Sequence, residues 1–86
     1  MAELTLAKVG QVALTELEEL TGCPAEGVTA IDATEDGWSV DVDVRELARV
    51  PETTDVLATY RVTIDGGGRM TGYRRVRRYL RAQVED

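Results

Sequence analysis

From Leu6 onward, Leu6, Val9, Ala13, Leu17 and Leu20 recur at three- and four-residue steps, which places them on one stripe of a helix. Lys8, Gln11, Glu18 and Glu19 lie opposite, so the helix is amphipathic and needs an apolar surface to rest on. Thr21-Gly22 followed by Pro24 ends it, because glycine accepts the left-handed closing residue and proline cannot continue the helix. The pattern predicts a helix from about Leu4 to Thr21.

The period then changes from 3.6 to 2. Residues 28–34 are rich in β-branched side chains, and Asp36-Gly37 supplies the turn of a tight hairpin. Beyond it Trp38, Val40, Val42 and Val44 alternate with Ser39, Asp41, Asp43 and Arg45, the pattern of a half-buried strand with its apolar side inward. Glu46 breaks this alternation, which predicts a bulge or strand end there, followed by a loop through residues 50–54. Val56, Ala58, Tyr60, Val62 and Ile64 form the apolar side of a third strand. Asp65-Gly66-Gly67-Gly68 turns the chain into a fourth strand beginning at Arg69 to Tyr73.

The carboxyl end reads differently as strand and as helix. As a strand, residues 74–80 put Arg74 and Arg78 on the same side as Val76 and Leu80. As a helix, Val76, Tyr79, Leu80 and Gln83 share one face while Arg74, Arg77, Arg78 and Arg81 share the other. The helix gives the cleaner segregation. The expected fold is α+β: an N-terminal amphipathic helix on a four-stranded antiparallel meander, with a short C-terminal basic amphipathic helix.

The chain has 86 residues, enough for one domain, 1–86, and no second core. It is 43% hydrophobic and 30% charged, as in folded globular proteins. No apolar run reaches the roughly 18 residues of a membrane span, and the start lacks a signal peptide's basic and apolar regions. The expected location is therefore the cytoplasm. Cys23 has no second cysteine to pair with and is read as a small apolar side chain.

Charge is divided along the chain. Residues 1–57 hold Lys8, Arg45 and Arg49 against thirteen acids, a balance of minus 10. Residues 58–86 hold seven arginines against Asp65, Glu85 and Asp86, a balance of plus 4. Such polarity bears on association and steering.

The residue types leave little room for catalysis. With no histidine, a serine or cysteine triad, a zinc site and an ordinary proton shuttle are all absent. Asp41 and Asp43 share a strand face and so form a carboxylate pair, but their outward alternation marks them as solvated surface. Gly66 to Gly68 are not followed by the lysine and hydroxyl residue of a phosphate loop. The expectation is a non-catalytic binder with no cofactor and no metal.

Three readings of Arg74, Arg77, Arg78 and Arg81 compete: nucleic-acid phosphates, an acidic protein surface, or a solvated face partly neutralised by the domain's own Asp41, Asp43 or Glu46. The net charge of minus 6 opposes a polyanion and favours a protein partner. Sheet edges leave self-association into a homodimer open.

Three motifs in order carry a resemblance. Asp36-Gly37-Trp38 before an acidic strand, Arg49-Val50-Pro51-Glu52-Thr53-Thr54-Asp55-Val56-Leu57-Ala58-Thr59-Tyr60, and Gly72-Tyr73-Arg74-Arg75-Val76-Arg77-Arg78-Tyr79 resemble the gas-vesicle accessory family GvpO. The resemblance implies an accessory factor of gas-vesicle formation, as found in actinobacteria and haloarchaea, acting with other accessory proteins or the shell subunit. It implies association with the vesicle and no catalytic residues. Members often carry a variable charged extension before the shared domain, whereas this chain starts almost at the first helix. Together with the residues, it casts Arg74, Arg77, Arg78 and Arg81 as the face that docks on such a partner. The alternative is a small regulatory protein that binds nucleic acid through those arginines; a wall subunit fits less well, because charge is spread through every segment.

Overall fold

The computed structural model describes residues 5–48, 50 and 55–81. In chain order these form α1 (Leu6–Thr21), β1 (Ala25–Ala33), β2 (Gly37–Leu47), β3 (Val56–Asp65) and β4 (Met70–Leu80). The strands make one antiparallel sheet in the order β1-β2-β3-β4, so the expected α+β meander is present. Leu4, Arg49, residues 51–54 of the expected loop and Gln83 lie outside the described residues.

Both ends of α1 close by local chemistry. Thr5 Oγ1 accepts from Lys8 N at 3.2 Å, and Gly22, at φ 71°, donates its N–H to Glu18 O at 2.8 Å. Val9, Ala13 and Leu17 are fully buried against Val40, Val42, Val44, Ala58, Val62 and Ile64. Trp38 and Cys23 pack at the margin of this cluster. Leu6 and Leu20, by contrast, are 59% and 55% exposed, so the apolar stripe runs past the core at both helix ends.

The turns and the break in β2 follow the local sequence. Thr34 N donates to Gly37 O at 2.8 Å across the first hairpin. In the last, Asp65 Oδ1 accepts from Gly67 N and Arg69 N, both at 2.9 Å. The register between β2 and β3 slips between Arg45 and Leu47, which is the bulge expected at Glu46.

The C-terminal helix is corrected. β4 continues through Leu80, pairing Arg74 with Arg61, Arg75 with Tyr60, Arg77 with Thr59 and Arg78 with Ala58. Between Thr59 and Tyr60 the register slips, because β4 holds one extra residue, Val76. The bulge resets the alternation. Arg74 and Arg77 share the face of Arg61 and Thr59, while Arg75 and Arg78 share the face of Tyr60 and Ala58. A strand with an unpaired outer side does not need an apolar side along its whole length, and the exposed backbone of β3 gives residues 74–80 hydrogen bonds that an isolated short helix would have to do without.

Candidate functional site

Cross-strand register sorts the side chains of the sheet. Trp38, Val40, Val42 and Val44 of β2 stand beside Ile64, Val62, Tyr60 and Ala58 of β3, and this is the face that α1 covers. Among the described residues the other face has no helix on it. Asp41 there pairs with Arg61 and Asp43 with Thr59, and β4 adds Arg74, Val76, Arg77 and Tyr79. A groove of about 450 Å³ on this face is lined from all four strands, by Thr29, Asp41, Asp43, Thr59, Arg61, Val76, Arg77 and Tyr79.

Its floor is held together by charge and hydrogen bonds. Arg61 grips Asp41 with Nε at 2.9 Å and Nη2 at 3.2 Å, a forked contact whose hydrogen bonds raise the arginine's pKa further. Asp43 accepts from Thr59 Oγ1 at 2.6 Å and from Tyr79 Oη at 2.5 Å. Burial and then the bond to Asp43 push the Tyr79 phenol up to about 12. The phenol therefore stays protonated at neutral pH. It is a donor to Asp43, and the half-exposed Asp41 and Asp43 are held by Arg61 and by Thr59 and Tyr79.

The four arginines expected on one face are dispersed. Arg77 sits on the open face with its guanidinium carbon 4.1 Å from the centroid of the Tyr79 ring. Arg74 is on the same face, beside Arg61. Arg78 points to the helix-side face, where its Nε is 3.1 Å from Glu46 Oε1. Arg81, just past β4, bridges Glu26 and Asp55, each at 3.3 Å, and its N–H donates to Asp55 O at 2.9 Å. The bonds to Glu26 are the main reason its pKa rises. With Asp55 only 2% exposed, this bridge ties the end of β4 to the start of β1.

Glu46 is the residue that sequence reasoning underused. It accepts from Tyr60 Oη at 3.0 Å, Arg75 Nη1 at 3.2 Å and Arg78 Nε at 3.1 Å. Burial, followed by the bond to Glu46, raises the Tyr60 phenol above its ordinary value. The bulge that marks Glu46 in the sequence also turns its carboxylate toward two arginines of β4; a strand break filled by an acid, with an arginine cluster downstream, was the available signal.

Among the described residues Arg74 and Arg77 have no carboxylate within salt-bridge distance. Also among them, no group of three histidine, cysteine, aspartate or glutamate side chains is placed to hold a metal ion. No helix there is long and apolar enough to cross a membrane. On β4, Arg74 and Arg77 thus present two exposed guanidinium groups next to one another on the open face of a sheet edge.

Comparison with known proteins agrees with the motifs. Residues 1–85 match the family described as gas vesicle synthesis protein GvpO. The chain belongs to the GvpO family. It is 54% identical over 73 residues to gas vesicle protein O of Streptomyces sp. (strain CB03234), covering 85% of this chain and 57% of that protein. It is 32% identical over 82 residues to gas vesicle protein O1 of Halobacterium salinarum, covering 95% and 69%. With gas vesicle protein O of Haloferax mediterranei the identity is 36% over 70 residues, covering 80% and 50%. The chain therefore spans between about half and two thirds of these relatives. No solved structure matches it. The family is one of gas vesicle synthesis proteins.

Proposed function

We propose that residues 1–86 form one GvpO domain that acts without catalysis, binding another gas-vesicle accessory protein or the shell subunit in the cytoplasm during vesicle formation. The observation that supports this is the pair Arg74 and Arg77. In a protein of net charge minus 6, these two cations stand exposed on β4 with no acid within salt-bridge distance among the described residues. An acidic protein surface satisfies them, and long-range attraction between the basic edge and such a surface speeds encounter.

The earlier docking face is revised accordingly. Arg78 and Arg81 already hold Glu46, Glu26 and Asp55, so their first effect is on the fold, and Arg74 and Arg77 become the contact residues. The nucleic-acid alternative loses the basic helix on which it rested, since residues 74–80 are strand.

In the native host, the chromosomal copy is replaced by the Arg74→Glu/Arg77→Glu variant, and vesicles are scored by buoyancy and light scattering. Loss of vesicles at an unchanged level of folded protein is the expected result. Normal vesicles with the folded variant would refute the proposal.

A further inference from the structure

We infer that the free edge of β4 takes an extended acidic segment of the partner protein as a fifth strand. This rests on the reading that the chain works by binding a protein, and it specifies how that protein is held.

The rows of side chains across the sheet point to it. On the open face one row runs Asp41 of β2, Arg61 of β3, Arg74 of β4. Asp41 neutralises Arg61, and Arg74 is left as a base next to a base at the end of the row. The next row runs Asp43, Thr59, Arg77, and there Asp43 is used by Thr59 and Tyr79. Each row ends in a cation at the position where one more strand would begin. A strand at the usual spacing of about 4.8 Å would place its own side chains directly beside Arg74 and Arg77.

The other face gives the same answer. Arg75 and Arg78 share a single carboxylate, Glu46. Cations therefore flank the edge on both sides of the sheet. A ligand resting on one face meets only half of them, whereas an added strand projects alternate side chains to both faces and meets all four. Among the described residues β4 ends the sheet order, and no strand lies against its outer side along residues 70–79.

The charge pattern also selects the occupant. β4 against β4 of a second copy brings arginines against arginines, which is repulsive. The β1 edge of a second copy carries Glu26 and Asp32, but Glu26 already holds Arg81. An acidic segment from another protein has neither obstacle.

The test uses the full chain and a fluorescent peptide of about ten residues in which pairs of Glu alternate with pairs of Thr, so that glutamates reach both faces, long enough to run most of β4. A second peptide has lysine in place of glutamate, and a third keeps the glutamates but is N-methylated at every residue, which removes the amide donors from both of its edges without changing charge. The first is expected to bind, and the other two to bind at least about tenfold more weakly. Alternate β4 amides should exchange more slowly in its presence. Arg74→Glu/Arg77→Glu should lose the binding, and Arg74→Lys/Arg77→Lys should keep most of it with the same thermal melt. Equal binding of the N-methylated peptide, unprotected β4 amides, no binding of the acidic peptide, or a β4 edge occupied by a second copy in solution would each overturn the inference. The first two would leave protein binding through Arg74 and Arg77 standing, so the two readings fail separately.

Discussion

Replacing Tyr79 with phenylalanine removes one hydroxyl and nothing else from the open face. That hydroxyl donates to Asp43 Oδ2 at 2.5 Å, and its loss leaves Asp43 with Thr59 as its remaining donor in this cluster. A hydrogen bond to a charged group contributes about 1.5–3 kcal/mol. Tyr79 is only half-buried, so solvent screening lowers the expected loss to about 1–2 kcal/mol. For a chain of this size that lowers Tm by about 5–12 °C. The pH dependence gives a second readout. The Tyr79 phenol is raised from an ordinary value of 10.0 to about 12 in the folded protein. A raised pKa means that its contribution is fully present below the unfolded value and disappears as pH rises through the folded one. Urea unfolding followed by Trp38 fluorescence should therefore show stability falling between about pH 10 and 12 in the wild type. In Tyr79→Phe the starting stability should be lower and this decline shallower. It should not vanish, because the Tyr60 phenol is also raised by burial and Glu46. A variant as stable as the wild type at pH 7, or with an unchanged alkaline decline, would refute the assignment of Asp43 as the acceptor that matters.

Leu17→Ala empties a fully buried position between α1 and the sheet and should cost about 2–5 kcal/mol, measured by the same urea titration. Gly37→Ala should cost more than a surface change allows. A Cβ there would stand 2.0 Å from Ile64 O, a backbone atom, so the β2–β3 ladder must open, and a lowered Tm with slowed or incomplete folding is expected.

The sequence carried most of the local structure because local rules govern it. The Leu17 stripe, the Gly22 stop, the Asp36-Gly37 turn and the Asp65 turn each depend on a few adjacent residues. The bulge at Glu46 was visible because a charge interrupts an otherwise regular alternation. Residues 74–80 were misread for a physical reason. A helix segregates Val76, Tyr79 and Leu80 from the arginines, and a regular strand mixes them. The bulge at Val76 changes that sorting, and it exists only in the pairing with Thr59 and Tyr60, far away in sequence. The same separation left open which group each of Asp41, Asp43 and Glu46 holds, because Arg61, Tyr79 and Arg75 lie 20, 36 and 29 residues away from them. The candidate site was half legible: the arginine cluster was evident, but which arginines are already occupied follows from those long-range contacts.

The central claim, that this GvpO chain binds gas-vesicle proteins through Arg74 and Arg77, is tested most directly by affinity capture of the tagged chain from a gas-vesicle-producing host. The Arg74→Glu/Arg77→Glu variant is run in parallel after its melt has shown it folded. The account predicts that the wild type retains other gas vesicle proteins and that the variant does not. Equal recovery with the two, or nucleic acid retained in place of any vesicle protein, would contradict it.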